Sequence, residues 1–176
     1  MSVMSIKEIY NYTNERFSFL RDPMREVMAA YGSAEKWFAT LKEWALMKLN
    51  APNLSAAIHA LEHKQPERID AFADLFRPWH LMVEYPATDE LMEEIDSVPR
   101  LFEACIIIIE KVDEALRGFL AEVDNTEFHS MVVTVEDLMR ENNDDRIKLM
   151  QAWGIWKPDQ EMTSFDQFVA RLFGED

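Results

Sequence analysis

The sequence predicts an all-α fold: one irregular helical bundle of about seven to nine helices packed around a central helix at roughly 97–124. Three observations carry that reading. The stretch from Ser97 to Asp124 is the longest apolar-periodic segment in the chain. Apolar residues elsewhere also recur at three- and four-residue steps, the period of a helix face rather than the alternation of a strand. Six of the seven prolines precede residue 100, where they punctuate short helices instead of closing strands.

In the central segment, Leu101, Cys105, Ile108, Val112, Leu116, Phe119 and Val123 form one seam, and Phe102, Ile106, Ile109 and Leu120 form a second beside it. Together they cover an arc of roughly 160°, so the helix needs neighbours on at least two sides. The run Ile106 to Ile109 has strand-like content, but the helical period continues on both sides of it. Gly118, which costs ~1 kcal/mol relative to Ala inside a helix, points to a close neighbour there.

Taken in order, the first expected helix spans Ser5 to Leu20, with Ile6, Ile9, Tyr10, Phe17 and Leu20 inward. Asp22 and Pro23 have the form of an N-cap followed by Pro at N1, opening a helix that Gly32 ends. Ser33 then caps a helix whose face is Trp37, Phe38, Leu41, Trp44, Ala45 and Leu49. After a loop at Asn50 to Asn53, Leu54 to Lys64 forms a brief helix and Pro66 opens another through Phe76. Arg77 to Ala87 is irregular, and Thr88 to Asp96 reads as a short acidic helix with Asp89 and Glu90 at its positive end. Beyond the central helix, Asn125 caps a helix to about Glu141. A break at Asn142 to Asp145 follows, then a helix stopped by Gly154. Ser164 and Gln167 form a capping box for the last helix, which turns Phe165, Phe168, Val169, Leu172 and Phe173 to one side. With no linker, repeat or low-complexity tract, residues 1–176 read as a single domain with a C-terminal helical tail at 155–176.

Composition narrows the function classes. Thirty-three acidic residues stand against eighteen basic ones, a net charge of -15. Such a chain repels a phosphate backbone, so direct nucleic-acid binding is not expected. No apolar run is long enough for a membrane span and no signal peptide is visible at the amino terminus. The single cysteine, Cys105, lies on the apolar seam as a buried thiol. These features predict a cytoplasmic protein.

No complete catalytic set emerges. The four glycines make no phosphate-cradling loop, and neither a nucleophile elbow nor an HExxH pair is present. Two histidines, His59 and His63, stand one helical turn apart, the spacing at which two imidazoles share a metal ion. No acid stands three residues before any histidine, so the ExxH element of di-iron carboxylate bundles is lacking. The remaining pattern is acidic: Glu90 and Glu93 precede Glu110 and Asp113. This resembles the paired ExxE and ExxD helices of the all-α nucleotide pyrophosphohydrolases. The resemblance implies Mg²⁺ held by those four carboxylates against a nucleoside triphosphate. It covers about 25 residues, and outside it no cofactor is implied.

The aromatic content points to recognition. Trp153 and Trp156 form a short aromatic segment ahead of the tail, and Leu75 to Tyr85 is too apolar for a free loop. The leading expectation is therefore an interaction protein of the inhibitor, immunity or adaptor kind rather than an enzyme. Glu90, Glu93, Glu94 and Asp96 would steer a basic protein partner, and Trp153 and Trp156 would supply affinity. A symmetric homodimer would use the tail or the 75–85 segment.

Overall fold

The central segment forms the helix its seam predicts. In the computed structural model, which describes residues 15–124 and 126–174 together with residues 5, 7 and 8, it runs from Val98 to Val123. The Ser97 side chain accepts from the Arg100 amide, and Pro99 sits in the first turn. Every residue of the first seam is buried, as are Phe102, Ile106 and Ile109 of the second. The expected inward residues Ile6, Ile9 and Tyr10 and the expected cap Asn125 lie outside the described residues.

Among the described residues all regular structure is helical, but the helices are fewer and longer than expected. Five have bounds among the described residues: α1 (Arg21–Met47), α2 (Pro52–Ala73), α3 (Val98–Val123), α4 (Val132–Ile155) and α5 (Met162–Phe173); residues 7, 8, 15 and 16 are helical as well. Short 3₁₀ turns stand at Ser18–Leu20, Arg77–Trp79 and His129–Met131. No described helix is long and apolar enough to cross a membrane.

Three expected breaks are absent because the buried stripe passes straight through each. α1 continues across Gly32 and Ser33, with Val27, Tyr31, Ala34, Phe38 and Leu41 buried in one row. α2 continues across Pro66: Leu54, Ile58, Leu61, Gln65, Arg68 and Phe72 keep alternating four- and three-residue steps. α4 continues across Asn142 to Asp145, because Val135, Leu138, Asn142, Asp145, Leu149 and Ala152 hold the same rhythm. Tertiary burial of a continuous face outweighs the local cost of a Pro or a polar run. Gly154 is likewise helical, and the helix stops at Ile155. α5 begins at Met162 without using Ser164 as a side-chain cap.

A fourth expectation fails in the opposite sense, since Thr88 to Asp96 is not a helix. Residues 81–97 run as an extended strap along α1. Glu84 pairs with Arg21 and Arg25 at the start of α1, and Glu94 lies 2.9 Å from Lys48 just beyond its end. The lengths agree: ten extended residues reach about 33 Å, and the helix between Arg25 and Lys48 is about 35 Å long. The strap carries the chain back along the bundle, so α3 starts beside the end of α1 and runs antiparallel to it. α1 packs on both α2 and α3, α3 packs on α4, and α5 lies across α2 and α4. The result is a four-helix bundle with one long crossover and a short closing helix.

The glycines separate two roles. A Cβ at Gly32 would stand 2.5 Å from Thr88 Cγ2, so this residue admits the strap. At exposed Gly118 an added Cβ meets nothing within 4 Å, and the close neighbour expected there does not exist. Gly118→Ala should therefore raise the unfolding free energy by ~1 kcal/mol. Gly32→Ala should lower it by about 1–2 kcal/mol despite the same propensity gain, because the stiff, β-branched Thr88 side chain must give way. Urea unfolding of the two variants checks both signs.

Candidate functional site

The strap combines the two features that pointed to recognition, acids and exposed apolar side chains. It is anchored at its start by an aromatic cluster. The Trp79 ring centroid lies 5.2 Å from that of Phe17 and 5.4 Å from that of Phe128, and Phe76 is fully buried. His80 adopts a left-handed conformation (φ 56°) that turns the chain out of the 3₁₀ turn into the strap. Leu81, Val83 and Leu91 then pack on the core, and Ile95 is fully buried. Midway, the Ser33 hydroxyl accepts from the Asp89 amide and Lys36 donates to the Thr88 carbonyl.

What remains faces outward. Met82 is 73% exposed, Tyr85 69% and Met92 88%, the three most exposed apolar side chains of the strap. A cleft of about 410 Å³ opens beside Met82, floored by Leu20, Phe76 and Leu81 and rimmed by Arg21 and Glu84. The expected partner-binding acids share this outer row but differ in how they are held. Glu93 is clamped by Arg100, whose hydrogen bonds keep its carboxyl below the usual range. Glu94 pairs with Lys48, Glu90 approaches Lys36 only to 3.9 Å, and Asp96 is exposed. Exposed pairs of this kind are worth little and exchange partners readily.

The tryptophans are placed differently. Trp153 stacks on Phe102 at 6.3 Å with a 7° interplanar angle, and Trp156 packs against the same core. The tail lies on its own bundle, with Phe165 and Val169 buried. Of the 75–85 segment, Phe76 is interior and Met82 and Tyr85 are exterior.

The four acids of the Mg²⁺ pattern do not converge. Glu93 is held at Arg100, about 15 Å along α3 from Glu110, whereas one cation needs ligands within ~2 Å of itself. Asp113, the acid on an apolar stripe, is satisfied by Arg117 at 2.7 Å. Glu110 and Asp113 line a groove of about 470 Å³ between α3 and α4, with Arg117, Arg140 and Arg146 beside them. Among the described residues no three His, Cys, Asp or Glu side chains form a metal-binding group. The described structure thus does not gather Glu90, Glu93, Glu110 and Asp113 into one group. Cys105 is inert as well, because full burial pushes its thiol up to about 12.

Sequence reasoning missed a polar layer inside the bundle. Arg68 on α2 and Asp145 on α4, each side chain 6% exposed, meet at 2.7 Å. Lys64 reaches Asp145 at 3.2 Å, and Arg68 Nε donates to Glu141 at 3.1 Å. Asn142 donates to the Ile109 carbonyl, joining α4 to α3, and Gln65 donates to Leu61 within α2. Burial pushes the Tyr31 phenol far above its ordinary value, against the opposing pull of Arg68. The Arg68 Nη2–Asp145 Oδ2 contact is an ion pair without hydrogen-bond alignment, since Asp145 Oδ2 has no hydrogen-bond partner, and Arg68 Nη1 is buried without one as well. The two inward i, i+3 pairs here are Gln65/Arg68 and Asn142/Asp145, and the Arg68 guanidinium lies against the interior carboxylate of Asp145. A groove of about 760 Å³ lies over this layer. The signal available in sequence was the unbroken stripe period on both helices. Compared with models of known protein families and with curated proteins, the sequence matches none.

Proposed function

We propose that the chain is a protein-interaction module of the inhibitor, immunity or adaptor kind, acting in the cytoplasm on a partner with a basic surface through its strap. The observation that carries this reading is the outer row of the strap, where exposed Met92 lies among Glu90, Glu94 and Asp96 and exposed Met82 and Tyr85 stand nearer its start. Apolar anchors set among acids suit a partner that pairs hydrophobic residues with Lys and Arg. The cleft beside Met82 offers a seat for one buried side chain of that partner, the usual form of a binding hot spot. The acid surplus would give attraction at long range, and so a fast, salt-sensitive association.

The test is quantitative capture of the partner from the cell that makes the chain. The Tyr85→Ala, Met92→Ser pair should weaken retention at least tenfold, and Glu90→Lys with Glu94→Lys should both weaken it and flatten its dependence on salt. Val133→Ser, on the exposed face of α4, should leave it unchanged. Retention that is indifferent to all the strap variants would sink the proposal.

A further inference from the structure

Away from the strap, three side chains of α2 and one of α1 form a cluster that the interaction reading does not use. His59 and His63 stand one turn apart, both exposed, with their Nε2 atoms 2.9 Å from each other. The rings are perpendicular (88°), their centroids 4.2 Å apart. On its other side, His59 Nδ1 lies 3.1 Å from Glu62 Oε2. Glu62 is in turn paired with Lys42 of α1, whose Nζ also lies 3.2 Å from His59 Nδ1.

We infer that His59 and His63 form a two-nitrogen site for a divalent transition-metal ion of the copper(II) or nickel(II) type, with Glu62 as its orienting carboxylate. Three points of chemistry support it. Imidazole is a favoured ligand for these ions, and the spacing i, i+4 makes the pair a chelate. A ligating His characteristically gives its other ring N–H to a carboxylate, which is the place Glu62 occupies. The separation is also suitable: the 2.9 Å of the ring-to-ring hydrogen bond equals the ~2.9 Å between ligands at ~2.05 Å and a right angle. The pair thus fits cis positions of a tetragonal ion, with water in the rest.

Without the ion, one ring donates Nε2–H to the other. Binding requires both Nε2 lone pairs, so the donor ring's proton passes to its own Nδ1 and both rings become Nδ1–H tautomers, with Glu62 Oε2 placed to receive that of His59. Lys42 competes for that nitrogen but already donates to Glu62.

The experiment titrates the full, tag-free chain with copper(II), by calorimetry and electron paramagnetic resonance. Millimolar Mg²⁺ and ~0.15 M salt would be present to occupy the surface carboxylates. One equivalent should bind with two equatorial imidazole nitrogens. His59→Gln and His63→Gln should each cost at least tenfold in affinity and leave one nitrogen, and Glu62→Gln should cost about tenfold. His80→Gln and His129→Gln should change nothing, and circular dichroism should show every variant folded. An affinity unmoved by His63→Gln, or a spectrum with a single nitrogen in the intact chain, would overturn the assignment.

Discussion

Replacing Arg68 by Met should be among the most damaging single changes the bundle can suffer, lowering its unfolding free energy by about 3 kcal/mol. Removing one partner of a buried pair costs ~3–5 kcal/mol because the other charge is left behind without compensation. Here that charge is Asp145, with a side chain only 6% exposed. Lys64 remains at 3.2 Å, which places the cost at the lower end. For a chain of this size such a loss lowers the melting temperature by about 6–12 °C. The Arg68→Met, Asp145→Leu double variant should recover most of the loss, since two apolar residues restore a consistent interior. A double variant no more stable than Arg68→Met alone would mean that the pair does not carry the coupling assigned to it.

The second large effect belongs to Asp166. This buried residue of α5 caps the start of α2: its carboxylate accepts from the amides of Asn53 and Leu54 and from the Asn53 side chain, at 2.8–3.0 Å. Helix N-terminal amides have no partner within their own helix, and the cap residue of α2, Ala51, has no side-chain acceptor to offer. A carboxylate from another helix meets that need and also complements the helix dipole. Asp166→Ala should therefore cost about 2 kcal/mol, and Asp166→Asn, which keeps an acceptor but not the charge, about half as much. In urea the midpoint should fall with the slope unchanged. Equal losses in the two variants would show that charge contributes nothing to the cap.

Both residues illustrate which parts of the molecule were legible beforehand. α3 was readable because its seam is apolar from end to end, and local pattern and tertiary role agree. In α2 and α4 the inward stripe passes through Gln65, Arg68, Asn142 and Asp145, so a reader counting apolar residues sees it end where it continues. Pro66 and Gly32 added breaking signals that packing overrode. The strap misled for a different reason. Leu91 and Ile95 suit a helix face as well as the inward side of an extended segment, and Thr88, Asp89 and Glu90 look like a helix start. Only the bundle geometry, a chain that must travel the length of α1 in few residues, decides between them. The acids and aromatics of the candidate site were visible in composition, but their orientation was not. Trp153 and Trp156 face the core, whereas Tyr85 and Met92 face outward.

The most direct test of the strap as the working surface is site-specific photo-crosslinking in the cell that makes the protein. A benzophenone amino acid would replace, one at a time, Met82, Tyr85 and Met92 on the strap and Val133 and Met150 on α4, all exposed positions. The strap positions should capture one and the same protein, with the α4 positions capturing none of it. Capture of a partner from Val133 or Met150 and not from the strap would contradict the account.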